Sequence, residues 1–307
     1  MTRHTGRSER LNLPLPVSRP CQGLSLELLV FLVYTFDSMP QAQVSDTQLY
    51  YEIHGDGEPL VLIPGFGAGL WIWFKQVAEL AKSFRVIAYD PRGLARSSGA
   101  GGSSGFASMG QLAEDLEALL RALQIERAHI VGASFGGFVA QEFALRYPEM
   151  TKTLSLCCTS YGGAGHVPPS AETLAALAST KGLNTGERVR ANLLLAFSPE
   201  YVASEREEIE QVIALREANF VPEEVYLHQL QAAMAFDASA RVREIKAPTL
   251  VITGDEDIIV PSENSSNLAA RIPHAELQII EGGSHTFFIE KAGEFNRAVS
   301  EFIVRVK

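Results

Sequence analysis

The chain has 307 residues, 46% hydrophobic and 20% charged, a balance typical of a globular enzyme with a sizeable core. Its formal net charge of −10 argues against nucleic acid or an anionic membrane as the main partner, because no block of lysines or arginines offsets it. The three cysteines, Cys21, Cys157 and Cys158, form neither a disulfide framework nor a zinc or iron–sulfur spacing, so we expect no metal.

Residues 1–38 differ from the rest of the chain. Arginines precede an apolar run at 28–34, as in a signal sequence, but Glu27 interrupts the apolar region and no small-residue cleavage site follows. The run is also too short to span a bilayer. Met39 stands directly before the domain-like pattern. We interpret 1–38 as an extension, disordered or upstream of the native start, with a targeting peptide as the alternative. We expect a cytoplasmic protein without stable membrane insertion.

From residue 43 onward, strand-like and helix-like segments alternate, which is typical of a parallel sheet covered by helices. The predicted elements are, in chain order, strands at 48–54, 60–63 and 84–89, a helix at 109–123, a strand at 128–131, a helix ending near 147, and a strand at 153–158. The helix at 109–123 is amphipathic, with leucines along one stripe.

After residue 158 the strand pattern stops. Helix-like stretches separated by glycine and proline follow at 171–180, 186–196, 204–218 and 223–236. Sheet elements resume with strands at 249–253 and 276–280, and a closing helix occupies 295–306. The sequence therefore predicts an α/β core formed by residues 39–160 and 241–307, interrupted by a helical cap at 161–240.

A serine lies between two glycines where one predicted strand meets a predicted helix, in the pattern Gly132-x-Ser134-x-Gly136. Such a junction holds the serine on a tight turn with its hydroxyl exposed above the sheet edge. Glycine is needed on both sides because a side chain there would collide with the neighbouring strand or helix. The pattern predicts a catalytic nucleophile, and an ordinary turn is the alternative.

A serine hydroxyl needs an adjacent base to accept its proton. His285 follows the last predicted strand, in a glycine-containing loop at the same sheet edge. The base needs a carboxylate to orient it, and the loop after the preceding strand supplies Asp255, Glu256 and Asp257. No acid follows the strand ending at Cys158. We predict Asp257 as the acid and Asp255 as a capping or turn residue.

The tetrahedral intermediate of acyl transfer carries an oxyanion that N–H donors must meet. The backbone N–H of Phe135, directly after the serine, is one predicted donor. A glycine-rich turn at 64–69 supplies the second, the N–H of Phe66. This turn does not match a nucleotide-binding loop, because it lacks both the G-x-G-x-x-G spacing and a P-loop lysine. We therefore expect no cofactor.

Taken together and in this order, these motifs resemble the α/β-hydrolase superfamily, and within it the capped serine hydrolases similar to enol-lactonases and carboxylesterases. The matching segments are 64–67, 90–93, 132–137, 254–257 with Pro261, and 283–285. The resemblance covers about residues 43–307 and implies a mostly parallel eight-stranded sheet flanked by helices, with a helical cap inserted after the sixth strand. The chain departs from the family at Leu94-Ala95, where relatives often carry His-Gly.

The resemblance implies a serine hydrolase with Ser134 as nucleophile, His285 as base, Asp257 as acid, and the amides of Phe66 and Phe135 as the oxyanion hole. The expected partner is a small-molecule ester or lactone, and a homo-oligomer is left open. Aromatic candidates for the pocket are Phe66, Trp71, Phe135 and Phe287, of which Trp71 and Phe287 are equally candidates for the core. The alternatives are carbon–carbon bond hydrolysis of a diketone-like substrate, cofactor-free peroxidation, and a non-catalytic ligand-binding protein. A serine at 134 argues against haloalkane dehalogenation.

Overall fold

The computed structural model describes residues 40–99, 108–179, 183 and 185–306. The prediction made for residues 1–38 lies outside the described residues. By its contacts the chain divides into two units, and the architecture below belongs to the unit Pro40–Lys307.

Eight strands form one sheet in the order β1-β2-β4-β3-β5-β6-β7-β8. The strands are β1 (Gln41–Val44), β2 (Thr47–His54), β3 (Glu58–Ile63), β4 (Phe84–Tyr89), β5 (Ala128–Ala133), β6 (Thr151–Cys157), β7 (Thr249–Gly254) and β8 (Ala275–Ile280). The pairings of β2 with β1 and with β4 are antiparallel, and the other pairings are parallel. This confirms the predicted fold class, an eight-stranded and mostly parallel sheet flanked by helices.

Helices occupy both faces of this sheet. They are α1 (Val77–Leu80), α2 (Met109–Ala122), α3 (Phe135–Arg146), α4 (Ala171–Ser179), α5 (Thr185–Ala196), α6 (Pro199–Ser204), α7 (Arg206–Ala218), α8 (Glu223–Ala235), α9 (Glu263–Ala269), α10 (Phe287–Glu290) and α11 (Ala292–Arg305). The bounds of the predicted strand at 48–54 and of the predicted helix at 109–123 agree with those of β2 and α2 to within two residues. The predicted helix at 204–218 corresponds to α7, which begins two residues later because Glu205 leaves the helical conformation; the short helix α6 before it was not predicted.

The central strands are buried on both faces, as in other parallel sheets. Every residue of β5 and β7 is buried. On one face the leucine stripe of α2 packs with α3 against the sheet, and on the other face α11 packs with the buried Trp73. The sheet is therefore a rigid platform, and its carboxyl edge is where loops from several strands converge.

Between β6 and β7 the described residues form helices α4–α8, and we call this segment the insertion. Among its described residues the strand-type pairing is a single antiparallel bridge between Gly162 and Asp237. Phe197 and Ile213 of the insertion share a buried apolar cluster with Trp73 of the core. The limits of a separate cap at 161–240 stay a prediction. No helix in the described part of the chain combines the length and hydropathy needed to cross a bilayer.

The segment at 90–93 serves the framework of the sheet edge. The buried carboxylate of Asp90 accepts the N–H of Leu70 at 2.8 Å, and Arg92 binds Asp115 through two hydrogen bonds of 2.7 Å. Ala95, at the position where the family resemblance leads us to expect glycine, has φ +47°. An L-residue rarely adopts this conformation because its Cβ crowds the backbone, so the departure noted in the sequence places strain at this exposed turn.

Candidate active site

Ser134 lies on a strained turn between β5 and α3. Its backbone angles are φ +53° and ψ −117°, a conformation that costs on the order of 1–3 kcal/mol for a residue with a side chain. A Cβ on Gly132 would lie 2.3 Å from the carbonyl oxygen of Gly136, and one on Gly136 would lie 2.4 Å from that of Ile63. Both glycines are therefore required sterically, for the reason that the sequence pattern predicts.

The end of β6 holds this turn in place. The N–H of Ser134 donates to the carbonyl of Cys157 at 2.8 Å, and the hydroxyl of Thr159 donates to the carbonyl of Ser134 at 2.9 Å. A Cβ on Gly137 would meet the side chain of Thr159 at 2.6 Å. The role of Thr159 was not predicted, because its contact with the serine crosses 25 residues and leaves no local pattern in the sequence.

The structure brings together the three side chains predicted for the triad. The Oγ of Ser134 lies 3.1 Å from Nε2 of His285, and Nδ1 of His285 lies 2.8 Å from Oδ2 of Asp257. A carboxylate can only accept, so Nδ1 carries the proton of a neutral imidazole and Nε2 has its lone pair toward the serine. The arrangement can transfer the hydroxyl proton of Ser134 to His285.

The carboxylate of Asp257 has partners on both oxygens. Its side chain is 0% exposed, and Oδ1 accepts the N–H groups of Ile259 and Val260 at 2.9 and 2.8 Å. These two donors fix the carboxylate, which leaves Oδ2 to orient the imidazole. Asp255 is exposed and instead accepts the N–H of Gly282 at 2.7 Å. It ties the loops after β7 and β8 together, a longer-range contact than the capping or turn role predicted for it.

The turn at 64–69 passes beside the serine. A Cβ on Gly65 would lie 3.6 Å from Cβ of Ser134. Phe135 is the first residue of α3, so its N–H has no acceptor within the helix. Among the hydrogen bonds of the described residues, neither this N–H nor that of Phe66 has an acceptor. The two phenyl rings meet edge to face with centroids 5.9 Å apart. The geometry leaves both predicted donors available to an oxyanion.

Helix α8 of the insertion covers this turn. The N–H of Gly67 donates to Oε1 of the buried Gln229 at 2.8 Å. The ring of Phe66 also packs edge to face on Tyr226, with centroids 4.9 Å apart. Phe66 and Phe135 thus lie at the site, whereas the other two pocket candidates, Trp71 and Phe287, are buried in the apolar cluster of the core.

A second part of the insertion anchors the loop that carries His285. The carbonyl of Ala196, the last residue of α5, accepts hydrogen bonds from Oγ of Ser284 at 2.7 Å and from N and Oγ1 of Thr286 at 3.0 and 2.5 Å. The last carbonyls of a helix have no intrahelical donor, and this loop supplies three donors to that of Ala196. This contact was not predicted, and its signal in the sequence is the pair of hydroxyl residues that flank the histidine.

Glu290 of α10 reinforces the same contact. One carboxylate oxygen accepts the N–H of Ser284 at 3.0 Å, and the other accepts the N–H of Ser198 at 2.5 Å. Glu290 therefore bridges the histidine loop and the start of α6. Together with the carbonyl of Ala196, it positions the backbone on either side of His285.

One group of potential metal ligands lies at the site, formed by Cys158, Asp257 and His285 among the described residues, with ligand atoms within 4.8 Å of one another. The donor set does not fit a resident ion. Burial raises the pKa of the Cys158 thiol well above its usual value, so it stays protonated, and the thiolate is the form that binds metal. Asp257 and His285 are already hydrogen-bonded to each other.

The amino-acid sequence of this chain is similar to a family model and to known proteins. The sequence model of the family described as alpha/beta hydrolase fold matches residues 58–292, which include Ser134, Asp257 and His285. A protein of Azorhizobium caulinodans named "Putative carbamate hydrolase RutD" is 32% identical over 264 residues, covering 86% of this chain and 98% of that protein.

Two solved structures are similar along most of the chain. The enol-lactonase from Burkholderia xenovorans LB400 is 28% identical with a TM-score of 0.76, covering 86% of this chain and 100% of that one. A meta-cleavage product hydrolase from Pseudomonas fluorescens IP01 is 25% identical with a TM-score of 0.75, covering 87% of this chain and 98% of that one.

Proposed function

The chain belongs to the α/β-hydrolase family and is a hydrolase, and on that premise we propose that it cleaves a carboxylic ester or a lactone through an acyl-enzyme on Ser134. The observation that carries the proposal is the continuous chain of contacts from Ser134 Oγ to His285 Nε2, 3.1 Å, and from His285 Nδ1 to Asp257, 2.8 Å. Such a series of hydrogen bonds activates a serine hydroxyl that would otherwise be a weak nucleophile.

In the acylation step, Ser134 Oγ attacks the substrate carbonyl while Nε2 of His285 takes the hydroxyl proton. Asp257 stabilises the imidazolium that forms and keeps its ring in place. The N–H groups of Phe66 and Phe135 donate to the oxygen that becomes negative in the tetrahedral intermediate. As the intermediate collapses, the carbonyl–oxygen bond to the leaving group breaks, and His285 returns its proton to that alkoxide.

Deacylation repeats the sequence with water as the nucleophile. His285 takes a proton from the water, the hydroxide adds to the acyl carbonyl, and the Ser134 ester bond breaks with return of the proton to Oγ. For a lactone, the alcohol formed in the first step stays on the acyl chain and leaves with it. The insertion acts as a cap in this proposal, because α8 contacts the turn that carries Phe66 and shields the reacting carbonyl from bulk water.

The proposal is tested with 4-nitrophenyl esters of increasing acyl length and a panel of lactones. We expect turnover by the native chain and loss of turnover in Ser134→Ala. A fluorophosphonate reagent, followed by mass spectrometry, should label Ser134 in the native chain and lose that label in His285→Ala, because labelling needs an activated hydroxyl. Turnover that survives Ser134→Ala would refute the proposal. Absence of both turnover and labelling would favour the non-catalytic alternative.

A second candidate, carbamate hydrolysis, follows from the 32% identity to the relative with that name. A carbamate presents the same planar carbonyl to Ser134, but the nitrogen lone pair makes the carbamoyl-enzyme slow to hydrolyse. An esterase should therefore give one burst of product from an aryl carbamate and then stop. Sustained turnover at a rate comparable to that of the matching ester would replace the ester proposal. Turnover restricted to a vinylogous diketone would instead favour carbon–carbon bond hydrolysis.

A further inference from the structure

Arg216 of α7 is a partly buried cation that has no acidic partner among the described residues. The exposed Arg190 of α5, by contrast, forms an ion pair with Glu210 of α7 at 2.8 Å. Burial lowers the pKa of Arg216, and the phenol of Tyr226 is the group that opposes this shift. A partly desolvated guanidinium without a counterion is costly, so the site favours the arrival of an anion.

The guanidinium lies on the turn that carries a predicted oxyanion donor. A Cβ on Gly67 would lie 3.4 Å from Nη2 and 3.9 Å from Cζ of Arg216, and 3.5 Å from Val221. Gly67 has φ +61°, and its N–H is held by Gln229. The arginine head group therefore lies at van der Waals distance from the turn at Gly67.

This position is one residue from Phe66, whose N–H meets the substrate oxygen in the proposed mechanism. Consecutive Cα atoms are about 3.8 Å apart, so the residue that Arg216 contacts lies about one residue's length from the proposed oxyanion donor. The planar guanidinium offers a fork of N–H donors that matches the two oxygens of a carboxylate.

We propose that Arg216 binds a carboxylate of the substrate, so that the preferred ester or lactone carries a second, ionised carboxyl group a few bonds from the carbonyl that Ser134 attacks. The inference rests on the proposed function for the identity of the reaction. It adds the charge of the substrate, which the triad and the oxyanion donors do not determine.

The test compares a charged substrate with a neutral one of similar length. We would measure kcat/KM for mono-4-nitrophenyl adipate and for its methyl-capped diester, with glutarate and pimelate homologues to vary the reach. The native chain should prefer the charged ester. Arg216→Gln should lower kcat/KM for that ester about ten- to a hundredfold, mainly through KM, because a charge-assisted hydrogen bond is lost. The neutral diester should change less than about twofold.

Arg190→Gln is the matched control, since it removes the same charge from an exposed pair of the insertion. It should leave both substrates unchanged, and Arg216→Lys should retain part of the preference. Activity of Arg216→Gln on the neutral diester verifies that the variant is folded. Equal losses for charged and neutral esters, or no loss for either, would overturn the inference.

Binding without turnover separates this inference from the proposed function. Calorimetry on Ser134→Ala should detect monomethyl adipate, and the added Arg216→Gln change should weaken that binding at least tenfold. Binding that depends on Arg216 in a chain that hydrolyses no ester would leave the anion site standing and refute the esterase. Ester hydrolysis with monomethyl adipate bound equally in both variants would refute the anion site alone.

Discussion

Replacement of Asp257 by asparagine should trap His285 in the wrong tautomer. The N–H groups of Ile259 and Val260 point at Oδ1, so they select the carbonyl oxygen of an asparagine at that position. The amide NH₂ then faces Nδ1 of His285 and makes it an acceptor. The proton moves to Nε2, which can no longer accept the proton of Ser134.

The contacts of Asp257 set the free-energy difference between the two tautomers of His285 in this variant. To restore the productive tautomer the amide must flip, which places its NH₂ against both backbone donors and leaves two partly buried N–H groups without an acceptor. Each such group costs about 1–3 kcal/mol, so the productive form lies about 2–6 kcal/mol uphill. With about 1.4 kcal/mol for each factor of ten, the middle of that range is roughly a thousandfold in kcat.

Asp255→Asn is the matched control on the same loop. Its carboxylate is exposed and accepts a single N–H, from Gly282, which an asparagine oxygen replaces. We expect less than about a twofold change in kcat for this variant. The assay is steady-state hydrolysis of one 4-nitrophenyl ester at saturating concentration, with far-UV circular dichroism to verify folding. Equal losses in the two variants would refute the tautomer argument and the assignment of Asp257.

Three further predictions concern stability and the serine turn. Gly136→Ala should destabilise the fold by about 1–3 kcal/mol and abolish ester hydrolysis, because its Cβ would lie 2.4 Å from a carbonyl oxygen of β3. Gly293→Ala is the control, because nothing lies within 4 Å of its Cβ. It should raise the free energy of unfolding, measured in urea, by up to about 1 kcal/mol. Equal effects of these two changes would contradict the steric account. Ala95→Gly should raise the free energy of unfolding by about 0.5–1 kcal/mol by relieving its positive φ, and a fall in the urea midpoint would count against this strain. Glu142→Gln should lower the free energy of unfolding near neutral pH. Burial raises the pKa of the Glu142 carboxyl, but hydrogen bonds from Arg146 and Arg241 outweigh this and hold the pKa below 4.5. The difference in unfolding free energy from the native chain should therefore narrow as the pH falls below 4.5. A difference in unfolding free energy that stays constant between pH 7 and pH 3 would show that the charge of the Glu142 carboxylate does not stabilise the fold.

The sheet and the serine turn could be predicted because their signals are local. A buried strand, a glycine, a serine and a second glycine constrain one another within a few residues, as the approach of Gly136 to the β3 carbonyl shows. The placement of His285 followed from a topological rule, that loops after parallel strands meet at one edge. That rule needs only the order of the strands, which the hydrophobic pattern supplied.

Short elements and long-range contacts escaped prediction for a physical reason. Strand β1 and helices α1 and α10 have four residues each, too few to show a period of two or 3.6. The hydrogen bonds from Ser284 and Thr286 to Ala196 join residues about 90 positions apart, and the approach of Arg216 to Gly67 spans a still longer stretch of chain. Such contacts depend on how the insertion packs on the sheet, which the periodicity of single helices leaves undetermined.

The bond between Ala196 and the histidine loop limits how the enzyme can open. If α5 swung outward, its terminal carbonyl would pull Ser284 and Thr286 with it and separate the imidazole from the nucleophile. Displacing α8 would break the hydrogen bond of Gln229 to Gly67 and the ring contact of Tyr226 with Phe66, neither of which involves the residues of the proton relay. A hinge on the α8 side would therefore admit and release small molecules without dismantling the base between turnovers.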